Sequence, residues 1–397
     1  MINYDKILSE KVKSIQFSGI RKFFDIAATM DNVISLSVGE PDFKTPWAIR
    51  RKAILSLETG HTRYSSNSGM VELRVEACKY MQNLLGVSYD PNNEIVVTVG
   101  GSEAIDIAIR ALVNDGDEVL VPEPSFVCYA PLVELAGGVA VPIITKVEDN
   151  FKLTPKALKA AITPKTKALI LPFPNNPTGA VMRRDELEEI AEILRGTEIM
   201  AISDEIYAEL TYSDGGEDLK KHVSIASLDG MRERTILING FSKAFAMTGW
   251  RLGWVAGPEP ILTQILKIHQ YAIMCSPTTS QYAAITALSS PEVRRDVDYM
   301  VNEYDMRRRL CVKSFNDMGL NCFNPEGAFY VFPCIKSTGL TSEEFCERLI
   351  KSKRVAVVPG TAFGKSGEGF VRVSYAYSLK HLTDAFARIE EFLREIK

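Results

Sequence analysis

Ile95-Val96-Val97-Thr98-Val99-Gly100-Gly101-Ser102-Glu103-Ala104 changes periodicity at its glycine pair. The residues before the glycines are β-branched and without polar alternation, the pattern of a strand covered on both faces. From Ser102 on, Ala104, Ile105, Ile107, Ala108, Ala111 and Leu112 recur at helical spacing. A buried strand running through glycines into a helix is the repeating unit of a parallel α/β sheet. Further apolar runs lie at Glu118–Val121, Val139–Ile144, Ala168–Leu171, Ile199–Ile202 and Thr235–Ile238, most with a helical stretch between them. Leu252–Ala256 follows its predecessor too closely for a helical crossover, so it is expected to run antiparallel. The fold class is therefore α/β, a mostly parallel seven-stranded sheet between helices.

Working outward, 69–85 reads as a helix with Val71, Val75, Cys78 and Met81 on one side. Gly39-Glu40-Pro41-Asp42 is a turn. The opening to about residue 30 reads as one or two helices with an irregular lead-in. After about residue 260 the chain turns mostly helical, with one long helix over 292–318. Ala328–Phe332, a helix at 342–352, Val355–Val358, Phe370–Ser374 and a helix at 380–395 make a small α+β unit. The expected division is 45–290 for a large domain, and 1–44 with 291–397 for a small one.

With 46% hydrophobic residues among 397, the chain can bury a large core. A net charge of -4 gives no reason to expect nucleic acid or an anionic membrane as partner. The seven cysteines are scattered without a CxxC, as expected of reduced thiols in a cytoplasmic protein. Met1-Ile2-Asn3-Tyr4-Asp5-Lys6 is no secretory signal, and no apolar stretch is long enough to span a bilayer. His61, His222, His269 and His381 stand at no metal-ligand spacing, and no G-x-S-x-G elbow occurs. No metal is expected, and proton transfers must fall to other residues.

Ligands of an open α/β sheet sit beyond the carboxyl ends of its strands. Gly100-Gly101-Ser102 can cradle a phosphate against a helix N-terminus, or form a tight turn capped by Ser102. Asn175-Asn176-Pro177-Thr178-Gly179 is a turn that offers the Asn176 amide at the sheet edge. Asp204 follows an apolar run, where a carboxylate needs a partner. A protonated ring nitrogen would serve, and a helix N-cap is the alternative. Lys243 follows Thr235–Ile238, and desolvation would make its amine a nucleophile. Arg251 suits a bidentate grip on phosphate. Taken alone, such cations are more often solvated surface groups.

Ser242-Lys243-Ala244-Phe245-Ala246-Met247-Thr248-Gly249-Trp250-Arg251 resembles the cofactor-lysine motif of class I/II aminotransferases, pyridoxal 5'-phosphate (PLP) enzymes of fold type I. Asn175–Gly179, Ser203-Asp204-Glu205-Ile206-Tyr207 and Arg372-Val373-Ser374-Tyr375 match other blocks of that family in the same order. The resemblance runs from about residue 18 to the C-terminus. It implies that Lys243 bonds the cofactor as a Schiff base and shuttles the substrate proton. Asp204 would pair with the pyridinium nitrogen, and Tyr207 and Asn176 would hydrogen-bond the ring oxygen. Phe126 would stack on the ring. Ser102, Glu103 through its backbone, Ala104, Ser242 and Arg251 would hold the phosphate, with Tyr64 reaching the phosphate of a neighbouring subunit. Arg372 would bind the substrate α-carboxylate, helped by Asn176, while Gly39 and Ile20 close over it.

The implied activity is transfer of an amino group between an L-amino acid and a 2-oxo acid, with glutamate and 2-oxoglutarate as one pair, in a homodimer with shared sites. The chain departs from many members at Gly240, where they carry serine, and at Ser102, where some enzymes of acidic substrates carry lysine. Arg21 and Lys22 could meet a distal carboxylate or be solvated. Phe23, Tyr129, Tyr271 and Phe329 could line a pocket or belong to the core. The opening resembles the bacterial and archaeal subgroup of aspartate, aromatic and acyl-diaminopimelate aminotransferases. A β-lyase on the same fold, or a non-catalytic sensor, would share the cofactor site.

Overall fold

A computed structural model describes residues 2–17, 19–20, 29–212 and 221–396. After the short β1 (Ile34–Ser35) come the strands of the main sheet: β2 (Ile95–Thr98), β3 (Glu118–Glu123), β4 (Val139–Ile144), β5 (Thr166–Leu171), β6 (Met200–Asp204), β7 (Thr235–Gly240) and β8 (Gly253–Ala256). Their spatial order is β2-β8-β7-β6-β5-β3-β4. Strands β3 to β7 pair in parallel, and β8 runs antiparallel to both β7 and β2, as its short connection requires.

Both faces of this sheet are covered. On β5, Leu169 and Leu171 pack with Leu187, Ile190 and Leu194 of the helix Arg184–Leu194. Its alternate residues Ala168 and Ile170 pack on the other face with Ile105 and Ala108 of the helix Gly100–Leu112. Alternation sends successive side chains to opposite faces, so a strand buried on both must be apolar throughout.

The remaining strands are β9 (Tyr330–Val331), β10 (Val355–Ala356), β11 (Val358–Pro359) and β12 (Val371–Ser374). β11, β12 and β9 form an antiparallel sheet, and β10 pairs in parallel with β1. The run expected as one strand at Val355–Val358 is thus divided at Val357 between two sheets. The strand expected at Ala328–Phe332 shrinks to Tyr330–Val331, because Ala328 takes φ +57°, outside extended geometry. The long helix runs Pro291–Asp317 and the last one Leu379–Glu395.

Two local expectations shift. The helix after β2 begins at Gly100, so Ser102 lies inside its first turn and is not its cap. The Glu103 carboxylate, in the fourth helical position, reaches back to accept the otherwise unpaired Val99 N–H. Asp204 is the last residue of β6, followed by a turn in place of a helix.

His222 and His269 are buried against Glu205 and Glu103. All seven cysteines are free, and burial pushes the Cys78 thiol up to about 12. No described helix is long and apolar enough to cross a membrane.

Candidate active site

The carboxyl ends of β2, β3, β5, β6 and β7 open into a cavity of about 550 Å³. Ser102, Phe126, Asn176, Asp204, Tyr207, Ser242, Lys243 and Arg251 line it from the large sheet. Ile20, Gly39 and Arg372 line it from the opposite side. Three expected residues stay outside. Ala104 is fully buried in the helix, and the Glu103 carboxylate turns away to His269 Nδ1 at 2.6 Å, so neither side chain faces the cavity. Tyr64 is 82% exposed and lies apart from this chain's cavity.

Lys243 Nζ donates to the Gly39 carbonyl at 2.7 Å and lies 5.6 Å from the Phe329 ring. Burial lowers its ammonium to about 8, against the opposing pull of Glu40. Asp204 accepts from Tyr129 Oη at 2.8 Å and from the Ile206 N–H at 3.3 Å. Burial pushes its carboxyl up to about 6, against the hydrogen bonds from Tyr129 and Ile206. No described cation stands within ion-pair distance of Asp204, so its charge is left for a ligand.

Arg372 is likewise buried without an acid. Its guanidinium donates to Asn176 Oδ1 at 3.0 Å and to the Ser37 carbonyl, leaving Nε without a partner. Its Cζ lies 4.5 Å from the centre of the Tyr330 ring and 4.8 Å from that of Phe363. A buried cation set against two rings and short of a counterion is a receptor for a carboxylate.

At the end of β2, Gly100 takes φ +79°, and a Cβ there would lie 2.8 Å from an Arg251 guanidinium nitrogen. The glycine therefore lets Arg251 sit over the helix N-terminus, which makes an anion cradle. Anion cradle, buried acid and desolvated amine fit the phosphate, ring nitrogen and aldehyde of PLP respectively.

Gly240 has a packing reason. A Cβ there would fall 2.8 Å from Gly253 Cα on the paired strand and 3.0 Å from the Leu252 carbonyl. Gly253 in turn packs on Gly100 and Gly101, with 2.9 Å to the Gly100 carbonyl carbon for a built Cβ.

Of the aromatic residues weighed for the pocket, Tyr129 lines it and serves Asp204, and Phe329 lies under Lys243. Tyr271 is 88% exposed and apart. Arg21, Lys22 and Phe23 lie outside the described residues. Tyr330 was not anticipated: in sequence it sits in an apolar run and carries no signal beyond core. It lines the cavity, with its hydroxyl 2.9 Å from that of Tyr207.

Fold and site together define an α/β enzyme that binds a phosphorylated cofactor and a carboxylate substrate in one crevice. The family model for aminotransferase class I and II matches residues 31–389. Aspartate aminotransferase of Pyrococcus abyssi is 49% identical over 98% of this chain and 99% of its own. Aromatic-amino-acid aminotransferase 2 of Thermococcus litoralis is 46% identical, with the same coverage. The structure of the Thermus thermophilus aspartate aminotransferase with maleate superposes with a TM-score of 0.91 at 35% identity, covering 97% of this chain and 99% of that one. The chain belongs to the class I and II aminotransferase family. Its fold is type I, its cofactor is PLP, and its substrates are an amino acid and a 2-oxo acid. These relatives give no support to a lyase or a sensor.

Proposed function

We propose that this aminotransferase uses glutamate and 2-oxoglutarate as one substrate pair, in a ping-pong reaction within a single cavity. The observation that carries this is Arg372, buried without an acid and facing the same cavity as Lys243 and Asp204. One carboxylate receptor serves donor and acceptor in turn. The aspartate and aromatic relatives, with a cavity of about 550 Å³, support side chains of differing size.

When bound, PLP supplies an aldehyde that captures amines and a ring that withdraws electrons from the substrate Cα. Lys243 would hold the cofactor through its amine and, once released, move the proton at the substrate Cα. A lowered ammonium pKa leaves a usable fraction as free base near neutral pH. Asp204, kept in place by Tyr129, would keep the ring nitrogen protonated. Tyr207 and Asn176 would donate to the ring oxygen, and Phe126 would cover the ring face. Ser102, Ser242, Arg251 and the backbone N–H groups of Glu103 and Ala104 would hold the phosphate. Gly39 and Ile20 would exclude water above the substrate.

Residues 45–290 would form the large domain, and 1–44 with 291–397 the small one, which brings Gly39 and Arg372. The exposed Trp47, Leu57 and Tyr271 support a homodimer, in which the exposed Tyr64 would reach a neighbour's phosphate. Seven free cysteines, four of them buried, support a cytoplasmic location.

The test is an absorbance spectrum of the PLP-loaded protein. Bleaching of the visible band by L-glutamate and its return with 2-oxoglutarate supports the pair. A band that ignores glutamate but responds to another amino acid overturns the pair. Absence of any band after PLP is supplied overturns the whole reading.

A further inference from the structure

Tyr330 is the meeting point of groups that otherwise belong to separate tasks. Its ring lies on the Arg372 guanidinium at 4.5 Å. Its hydroxyl is 2.9 Å from that of Tyr207, and both phenols are buried. That hydroxyl also fills the space over Gly39, where a Cβ would come within 2.3 Å of it. Gly39 in turn receives the Lys243 amine. Any side chain at position 39 would displace the Tyr330 hydroxyl, so the glycine is needed for the phenol pair to form.

The backbone that carries Tyr330 is held from two sides. β9 pairs with β12, setting Tyr330 opposite Ser374 and one strand away from Arg372. Just upstream, Gly327 N–H donates to Gly179 at 2.9 Å and Ala328 N–H to Leu210 at 2.9 Å. The phenol is thus fixed relative to both Arg372 and the segment after Tyr207.

A phenol has one hydrogen. Among the described residues, each of these two hydroxyls has only the other as hydrogen-bond partner. If Tyr207 donated within the pair, it would have no hydrogen left for a ligand in the cavity. If Tyr330 donates, the Tyr207 hydrogen is free to point inward, and it is a stronger donor for accepting a bond itself. Gly39 closes the other side of the Tyr330 oxygen, so the arrangement favours the second direction.

We propose that Tyr330 is a positioning residue for transamination: its hydroxyl donates to Tyr207 and aims the Tyr207 hydrogen at the cofactor's ring oxygen, while its ring seats Arg372. The proposal rests on the reading of Tyr207 given above. It couples the cofactor side of the cavity to the substrate-carboxylate side through one side chain.

Tyr330→Phe separates the two halves, since it removes the hydroxyl and keeps the ring. Four readouts are needed: the pH midpoint of the visible band of the PLP-loaded protein, the dissociation constant for PLP added to cofactor-free protein, kcat, and maleate binding. The expected result is a midpoint raised by about half to one unit, PLP binding weakened about threefold, and kcat lowered about tenfold. Binding of maleate, an unreactive dicarboxylate read from its effect on the band, should change less than about twofold, because the ring still seats Arg372. Tyr330→Leu should weaken maleate binding about tenfold. Adding Tyr207→Phe to Tyr330→Phe should move the midpoint no further than Tyr207→Phe alone.

An unmoved midpoint in Tyr330→Phe overturns the proposal, even if the variant melts at a lower temperature. Additive midpoint shifts in the double variant overturn it too. Failure of the wild-type protein to form a visible band with PLP would remove the parent reading and this one together. A normal wild-type response to glutamate with an unmoved midpoint in Tyr330→Phe removes only this one.

Discussion

Lys243 and Asp204 are held against their own solvation. Burial lowers the lysine to about 8 from 10.5 and raises the aspartate to about 6 from 3.8. In cofactor-free protein between about pH 8 and 10.5, the unfolded lysine is protonated and the native one is not, so stability rises with pH across that window. Below about pH 8 the full penalty stands, on the order of 3 kcal/mol. For Asp204 the sign is opposite: from about pH 4 to 6 the native carboxyl keeps its proton, so stability falls as pH rises. Lys243→Met should therefore stabilise cofactor-free protein by about 2 kcal/mol near pH 7, the gain shrinking toward pH 10.5. Urea unfolding at several pH values checks this, and a variant less stable than wild type at pH 7 refutes it. The same variant should lose all turnover. Arg372→Lys keeps the charge but not the planar fork, so KM for amino acids should rise about tenfold to a hundredfold. Steady-state kinetics decides it, and an unchanged KM would mean another cation receives the carboxylate. At this scale the sequence was informative wherever a charged or amide residue stood at the end of an apolar run. It was silent on Tyr330, whose neighbours in sequence are apolar and whose role exists only through contacts with Tyr207 and Arg372.

Among the elements, the junction of β2 with its helix sets the anion cradle. The helix N-terminus rests on β8 through glycine alone, for a Cβ on Gly253 would come 2.9 Å from Gly100 and 3.0 Å from the Gly101 nitrogen. Gly253→Ala should push the helix start outward, destabilise the fold by about 1–3 kcal/mol and weaken PLP binding roughly tenfold. Thermal unfolding and PLP titration measure the two effects, and a variant with both unchanged would show that the contact relaxes freely. Element positions followed from periodicity because both sheet faces are buried. Their ends did not: Glu103 reaching back to Val99 and the positive φ of Ala328 are decided by local hydrogen bonding and backbone geometry, which hydrophobic pattern does not record.

For the molecule as a whole, the cavity draws Gly39 from the N-terminal stretch, Tyr330 and Arg372 from the C-terminal stretch, and Asp204, Lys243 and Arg251 from the main sheet between them. Tyr64 belongs to neither wall. Sedimentation should give twice the mass of the chain, and Tyr64→Phe should leave that mass unchanged while weakening PLP binding about tenfold, through loss of one charge-assisted hydrogen bond. A monomer, or a variant with wild-type PLP affinity, would refute the shared site. The large-scale plan was readable from the β-helix alternation, and β1 returns to pair in parallel with β10. A contact with another subunit leaves no periodic trace, so the role expected of Tyr64 rests on resemblance alone.

The contact of Gly240 with Gly253 bears on how this lineage can change. A side chain at position 240 has no room in the present packing. The new Cβ meets main-chain atoms that cannot rotate aside, so the neighbouring strand must first move. No replacement at position 253 relieves that contact, since every residue carries the same main-chain atoms, so a side chain at 240 is open only to a lineage whose strands already lie further apart.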